Sequence, residues 1–211
     1  MNKTVKLIHG WGINDVDHRV CEYKTVNGKQ KLVWICPYYE DWKQMLRRCF
    51  DKNYQEKYPT YKNCTVCEEW KYLSNFIKWV DSQPNRDWQN CSLDKDLLIV
   101  DNNYYCPDRV VYIPESLNNF TLCRSNGRGD YMLGVSSYSY NSTKKYKASC
   151  NSPSSGEREY IGLFSTEVEA HKAWQAKKHE YALQLADEQD DPRVAKALSE
   201  RYAPDKDWTN K

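Results

Sequence analysis

LDKDLLIVDNNYYCPDRVVYIPESLNNF, residues 93–120, is the stretch on which the fold turns. A short apolar run, Leu97 to Val100, meets the turn signal Asp101-Asn102-Asn103. A second apolar run, Val110 to Ile113, leads to a helix opening at Pro114-Glu115-Ser116. The order is therefore strand, turn, strand, helix, with Asp94 at one end and Asn118 at the other. Read alone, Asp94 and Asp96 are polar residues preceding a buried strand, and Asn102, Asn103 and Asn118 are turn and cap residues.

Upstream, residues 20–35 read as a β-hairpin. Two alternating runs flank Asn27-Gly28, because both central residues of a tight type I′ turn need positive φ. Lys24, Lys29 and Lys31 make this hairpin basic: a solvated hairpin, or a flap that contacts phosphate. Tyr39 to Phe50 reads as a helix with Trp42, Met45, Leu46 and Cys49 at i, i+3, i+4 and i+7. A second helix spans about Cys67 to Val80, with Trp70, Leu73, Ile77 and Val80 as its apolar stripe. Neither can bury its stripe alone, so the two pack together and onto the 93–120 segment.

Downstream, RSNGRGD (Arg124 to Asp130) is glycine-rich and polar, and marks a domain boundary. Three strand-like runs follow: Gly134 to Tyr140, Lys145 to Asn151, and Arg158 to Phe164. Thr166-x-x-Glu169 fits a capping box opening a helix that runs to about Ala186. Strand alternation places Ser136, Tyr138 and Tyr140, then Lys145, Lys147, Ser149 and Asn151, then Arg158 and Tyr160 on one face. Val135, Ala148, Ile161 and Leu163 take the other face, with the helix behind. The polar face is basic, hydroxyl-rich and aromatic, which suits a DNA backbone; a solvated sheet face is the plain alternative. The acidic start of the last segment and Pro204 suggest a loosely held tail with one short helix between Pro192 and Tyr202.

The 211 residues leave room for one large domain or two small ones. Aromatic usage leans on 17 Tyr and 8 Trp, which combine a flat apolar body with a polar tip and suit partner surfaces. A net charge of +2 is too small to identify a nucleic-acid partner, so local clustering has to carry that argument. No apolar run is long enough to span a membrane, and the start has no signal-peptide pattern. The nine cysteines then read as reduced thiols of a cytosol. Cys64 and Cys67 form a C-x-x-C, but the remaining cysteines are single, so structural zinc is not expected.

Three runs carry a resemblance: WKQMLRRC at Trp42 to Cys49, PTYKNCTVCEEW from Pro59, and the LDKDLL to YCPD segment. Over about residues 10–120 the chain resembles phage-encoded HNH (His-Me finger) endonucleases of the homing type. The resemblance implies a ββα-metal finger in which Asp94 and Asn118 hold a divalent cation, Mg²⁺ or a similar ion. Hard cations take oxygen ligands, and two protein groups plus waters and phosphate suffice. The family's general-base histidine is replaced by Lys95. A lysine of ordinary pKa is protonated at pH 7 and cannot accept a proton, so Lys95 stabilises phosphate charge, or acts as base where burial lowers its pKa strongly. His9 and His18 are the other candidate bases in this half.

From Tyr131 to about Ala186 the chain resembles the AP-two (ethylene-response-factor) DNA-binding domain. Gly134-Val135, Lys145 to Ala148 and YIGLFSTEVEAHKAW at Tyr160 to Trp174 carry the likeness. That family's sheet enters the major groove. Arg158 matches its pattern, whereas Ser136 and Tyr138 replace its first-strand arginines and Tyr140 and Tyr160 its tryptophans. Guanine readout from the first strand is therefore lost.

The expected fold is α+β. Residues 1–123 form a hairpin, two helices and the HNH-like finger, and 124–130 a linker. Residues 131–188 form a three-stranded antiparallel sheet packed on one helix, and 189–211 a tail. The expected function is double-stranded DNA binding with metal-dependent phosphodiester hydrolysis by Asp94, Lys95 and Asn118, in a cytoplasm, that of a host if the protein is phage-encoded. Two alternatives stand beside it: a catalytically degenerate DNA-binding regulator, because of Lys95, and a phage factor binding a host protein through its aromatic surface.

Overall fold

Asn27 and Gly28 take φ of 51° and 74°, the paired left-handed residues of a tight hairpin turn. They join β1 (Cys21–Val26) to β2 (Lys29–Ile35) in antiparallel register. A computed structural model describes residues 6–122, 130–140 and 143–208, without the side chains of Tyr140, Thr143 and Lys144. The chain forms two units, Met1–Ile113 and Pro114–Lys211. The linker expected at 124–130 lies, apart from Asp130, outside the described residues.

In the first unit, α1 (Pro37–Phe50) buries Trp42, Met45, Leu46 and Cys49, the stripe its spacing predicted. Pro37 starts the helix two residues earlier than expected, since a first-turn proline loses no needed N–H. The indole of Trp42 donates to the carbonyl of Trp70 at 2.7 Å, tying the helix to the second aromatic cluster. Asp51 ends α1 and caps α2 (Lys52–Lys57) by accepting from the Tyr54 amide at 3.0 Å. Gly12 backs onto Trp42 and Leu46 so closely that a Cβ would stand 2.3 Å from a Leu46 methyl.

The expected helix from Cys67 is divided. A 3₁₀ turn, Glu68–Lys71, holds Trp70, and Tyr72 is extended before α3 (Leu73–Ser82) begins. The break resets the helical phase, so Leu73, Phe76, Trp79 and Val80 are buried while Ile77 is only partly so. Cys64 and Cys67 are buried on either side of β3 (Thr65–Val66), and burial pushes both thiols up.

The finger segment is a correction in one strand. β4 (Cys91–Asp94) lies earlier than the run Leu97 to Val100, which forms bends and a turn rather than a strand. The cause is Asp94, whose Oδ1 accepts from the amides of Asp96 at 2.9 Å and Leu97 at 2.6 Å and turns the chain. Asp101, at φ 58°, completes the reversal. β5 (Tyr104–Tyr105) then pairs in parallel with β3, and β6 (Val111–Pro114) pairs with β4. α4 (Glu115–Thr121) follows at once, as Pro114-Glu115-Ser116 predicted.

In the second unit, β7 (Val135–Tyr140), β8 (Thr143–Asn151) and β9 (Arg158–Phe164) form an antiparallel sheet in sequence order. α5 (Glu167–Asp187) opens on the full Thr166/Glu169 capping box and buries Ala170, Trp174, Tyr181 and Ala182. α4 buries Leu117 and Phe120 in this unit, with Phe120 edge-on to Tyr202 at 5.8 Å.

The expectation of a loose tail is overturned. α6 (Pro192–Arg201) is capped by Asp191 and buries Val194 and Leu198, and Tyr202 and Trp208 are buried beyond it. Gln175 of α5 donates to the carbonyls of Ala203 at 2.8 Å and Lys206 at 3.0 Å. The tail has apolar side chains at positions that α5 can receive, which outweighs its polar composition. Among the described residues no helix is long and apolar enough to cross a membrane.

Candidate nucleic-acid interface

The β7–β9 sheet has two unlike faces because strand side chains alternate. On the inner face Ala148 and Cys150 are buried. Glu159, opposite Cys150, takes a hydrogen bond from the hydroxyl of Tyr181 and an ion pair from Lys177 at 3.4 Å. The Tyr181 bond, then the Lys177 charge, hold its carboxyl below the usual range against the opposing effect of burial. These links run from β9 to α5, so the helix covers this side.

On the outer face the register sets Ser136 opposite Lys147 and Tyr138 opposite Lys145. Across the other edge of β8, Ser149 faces Tyr160 and Asn151 faces Arg158. Tyr138 and Tyr160 are 41% and 57% exposed, enough area for a flat ligand to rest on. Lys147 places Nζ 5.6 Å from the Tyr160 ring centroid, a loose cation–π pair. Arg158 donates from Nε to the Ser149 hydroxyl at 2.7 Å, which fixes the guanidinium over the strand and accounts for the burial of Ser149. Tyr140 pairs with Thr143 at the strand end, and its side chain lies outside the described set.

One pair of positions is corrected. A register shift between Ala148 and Ser149 leaves Ile161 without a partner, so alternation changes phase along β9. Leu163 pairs with Lys147, on the outer face, 41% exposed, and Gly162 takes the inner position opposite Ala148. Leu163 thus joins the outer face, and alternation without the bulge could not have found it. Near Arg158 the second unit also holds a cleft of about 620 Å³, lined among others by Ser116, Asn119, Asn151 and Lys178.

The finger residues have firm local partners. Asp94 stands at the end of β4 with Oδ1 taken by the turn amides. Lys95 is 12% exposed, with Nζ 2.6 Å from Asp96 Oδ1 and 2.7 Å from the carbonyl of Asn102. Asn102 is itself buried, bonding both the amide and carbonyl of Tyr104 at 3.0 Å. Asn118 lies in α4, where its carbonyl accepts from the Leu122 amide and the Thr121 hydroxyl, both at 3.0 Å. Asp94 belongs to the first unit and Asn118 to the second.

The two candidate histidines are placed elsewhere. His9 stands beside Asp51, Nδ1 to Oδ2 3.9 Å, and His18 beside Asp17, at the surface. Among the described residues no group of three or more His, Cys, Asp or Glu is arranged to hold a metal ion. Comparison with protein-family models, curated proteins and solved structures finds no match to this chain.

Proposed function

We propose that this protein binds double-stranded DNA through the outer face of β7–β9. The observation that supports this is the register, which lines Lys145 and Lys147 along the central strand with Tyr138, Tyr160 and Arg158 on the same solvent face. Lysines and a serine-held arginine answer phosphate charge, and tyrosines add hydroxyl donors and flat area. Such a face binds backbone in preference to base sequence. The test is duplex binding against salt for wild type and for the combined Lys145→Gln, Lys147→Gln, Arg158→Gln variant. The variant loses affinity uniformly across sequences, and its log–log salt slope flattens by about 2.7 for three lost phosphate contacts. A wild type without salt-dependent duplex binding overturns the reading.

A second reading, a divalent-metal-dependent HNH-type endonuclease, is favoured by the element order β4, β6, α4 with Asp94 closing the first strand. The carboxylate of Asp94 is a hard donor that fits Mg²⁺ or a similar cation, which when bound would polarise the scissile phosphate. Asp94 is oriented for that role by the turn amides on its Oδ1. In this reading Lys95, whose Nζ donates to Asp96 Oδ1 and to the Asn102 carbonyl, stands next to Asp94 and contacts phosphate. Plasmid nicking in Mg²⁺ or Mn²⁺ separates the two readings. Cleavage by wild type above that of Asp94→Ala makes the protein an endonuclease; equal, background cleavage leaves a DNA-binding regulator.

A further inference from the structure

The β1–β2 hairpin projects a face whose composition works against its own stability. Register pairs Lys24 directly with Lys31 and Val26 with Lys29. Lys24, Lys29 and Lys31 therefore share one side of a two-stranded ribbon. Like charges directly opposite one another destabilise an antiparallel pair. Among the described residues no carboxylate forms an ion pair with any of the three, and the nearby Glu22 is engaged by Arg19 at 3.7 Å. The shift between Glu22 and Tyr23 leaves Val33 unpaired and sets Trp34 opposite Glu22, which carries the 45% exposed Trp34 onto the lysine side.

Among the described residues the hairpin is anchored at its base, where Val20, Cys21 and Ile35 pack against the core and the Cys36 amide donates to the Val20 carbonyl at 2.8 Å. From Tyr23 to Trp34 every residue is exposed, so neither face is needed to complete a core. A ribbon with both faces in water is marginal by itself. A polyanion lying along these three lysines, beside an exposed indole, relieves their mutual repulsion.

Resting on the reading of the protein as a DNA-binding chain, we infer that the β1–β2 hairpin is a second duplex-DNA contact, in which Lys24, Lys29 and Lys31 take backbone phosphates. The occupant follows from charge complementarity and from shape, because a two-stranded ribbon has the width a major groove admits. Trp34 supplies an apolar edge beside the phosphates. The first unit thereby holds DNA independently of the sheet in the second.

The experiment uses the full chain, a labelled mixed-sequence DNA duplex and salt from about 50 to 200 mM, the range over which phosphate contacts are lost. Wild type is compared with Lys24→Gln, Lys29→Gln, Lys31→Gln combined, and separately with the sheet variant above. The expected result is weaker binding by the hairpin variant and a salt slope flattened by about 2.7, with a thermal midpoint equal to wild type or higher because the lysine repulsion is gone. A hairpin variant that matches wild type in affinity and slope, while the sheet variant is weakened, overturns the inference and leaves the sheet reading standing. Wild type that binds no duplex overturns both. Loss confined to phosphatidylserine vesicles or single-stranded RNA, with duplex binding intact, assigns the lysines to another polyanion and also overturns the inference.

Discussion

His9 shows how a single residue ties the fold to pH. It adopts φ 48° beside Asp51. Burial is the largest influence and lowers its pKa from 6.5, overcoming the Asp51 carboxylate, which raises it. With the folded pKa below the unfolded one, the unfolded chain takes up the proton first as pH falls. Stability is therefore full above 6.5 and declines as pH drops from there through the folded pKa. The thermal midpoint is expected to fall on acidification below 6.5, ahead of the carboxylate range. His9→Asn, which tolerates left-handed backbone, should remove that part of the slope. An identical slope in the variant sinks the assignment. Tyr112 makes a second residue-scale case: its hydroxyl donates to Asp41 Oδ2 at 2.9 Å, and burial, the larger influence, raises the Asp41 pKa despite that bond. Tyr112→Phe strips a half-buried carboxylate of its donor, and urea unfolding should register a loss of about 1–3 kcal/mol.

Elements show where local signals suffice and where they fail. The Asn27-Gly28 turn and the Thr166 capping box were legible because each is closed by residues within a few positions of itself. Leu97 to Val100 was misread because periodicity cannot tell a buried strand from an apolar loop, and the deciding contact is the Asp94 carboxylate on its neighbours' amides. The β9 bulge was invisible for a related reason: an unpaired Ile161 exists only relative to β8. Tight packing carries a prediction at this scale. Gly134 sits at φ 77° with the Trp174 ring 2.0 Å from where a Cβ would be, so Gly134→Ala must move α5 or the strand. Thermal unfolding of the purified variant should show a cost of about 1–3 kcal/mol from overpacking, with backbone strain in addition. Trp208→Ala is expected to cost about 3–5 kcal/mol, since the indole is 4% exposed and donates to the Arg201 carbonyl at 2.8 Å. A near-neutral result would return the tail to the loose state its composition suggests.

For the whole molecule, the two units offer separate basic surfaces, the sheet face in one and the hairpin in the other, although the chain's net charge is only +2. Phosphate contacts by lysine and arginine need no metal. Chelation with EDTA is therefore expected to leave duplex affinity unchanged while ending any nicking that depends on Asp94, measured on one preparation by anisotropy and by plasmid relaxation. A loss of duplex affinity on chelation would place the metal in the binding step instead. The sequence by itself determined the α+β class, the hairpin, the stripe of α1, three C-terminal strands with their helix, and most of the basic face, because alternation, helical spacing, caps and turns are short-range. Tertiary structure alone decided that Lys95 is held by Asp96 and the Asn102 carbonyl, that Leu163 faces outward, that Lys24 opposes Lys31, and that Tyr202 and Trp208 are core. Each of these depends on which residue lies across a strand, a turn or a helix face, and that partner is chosen by packing rather than by neighbours in the chain.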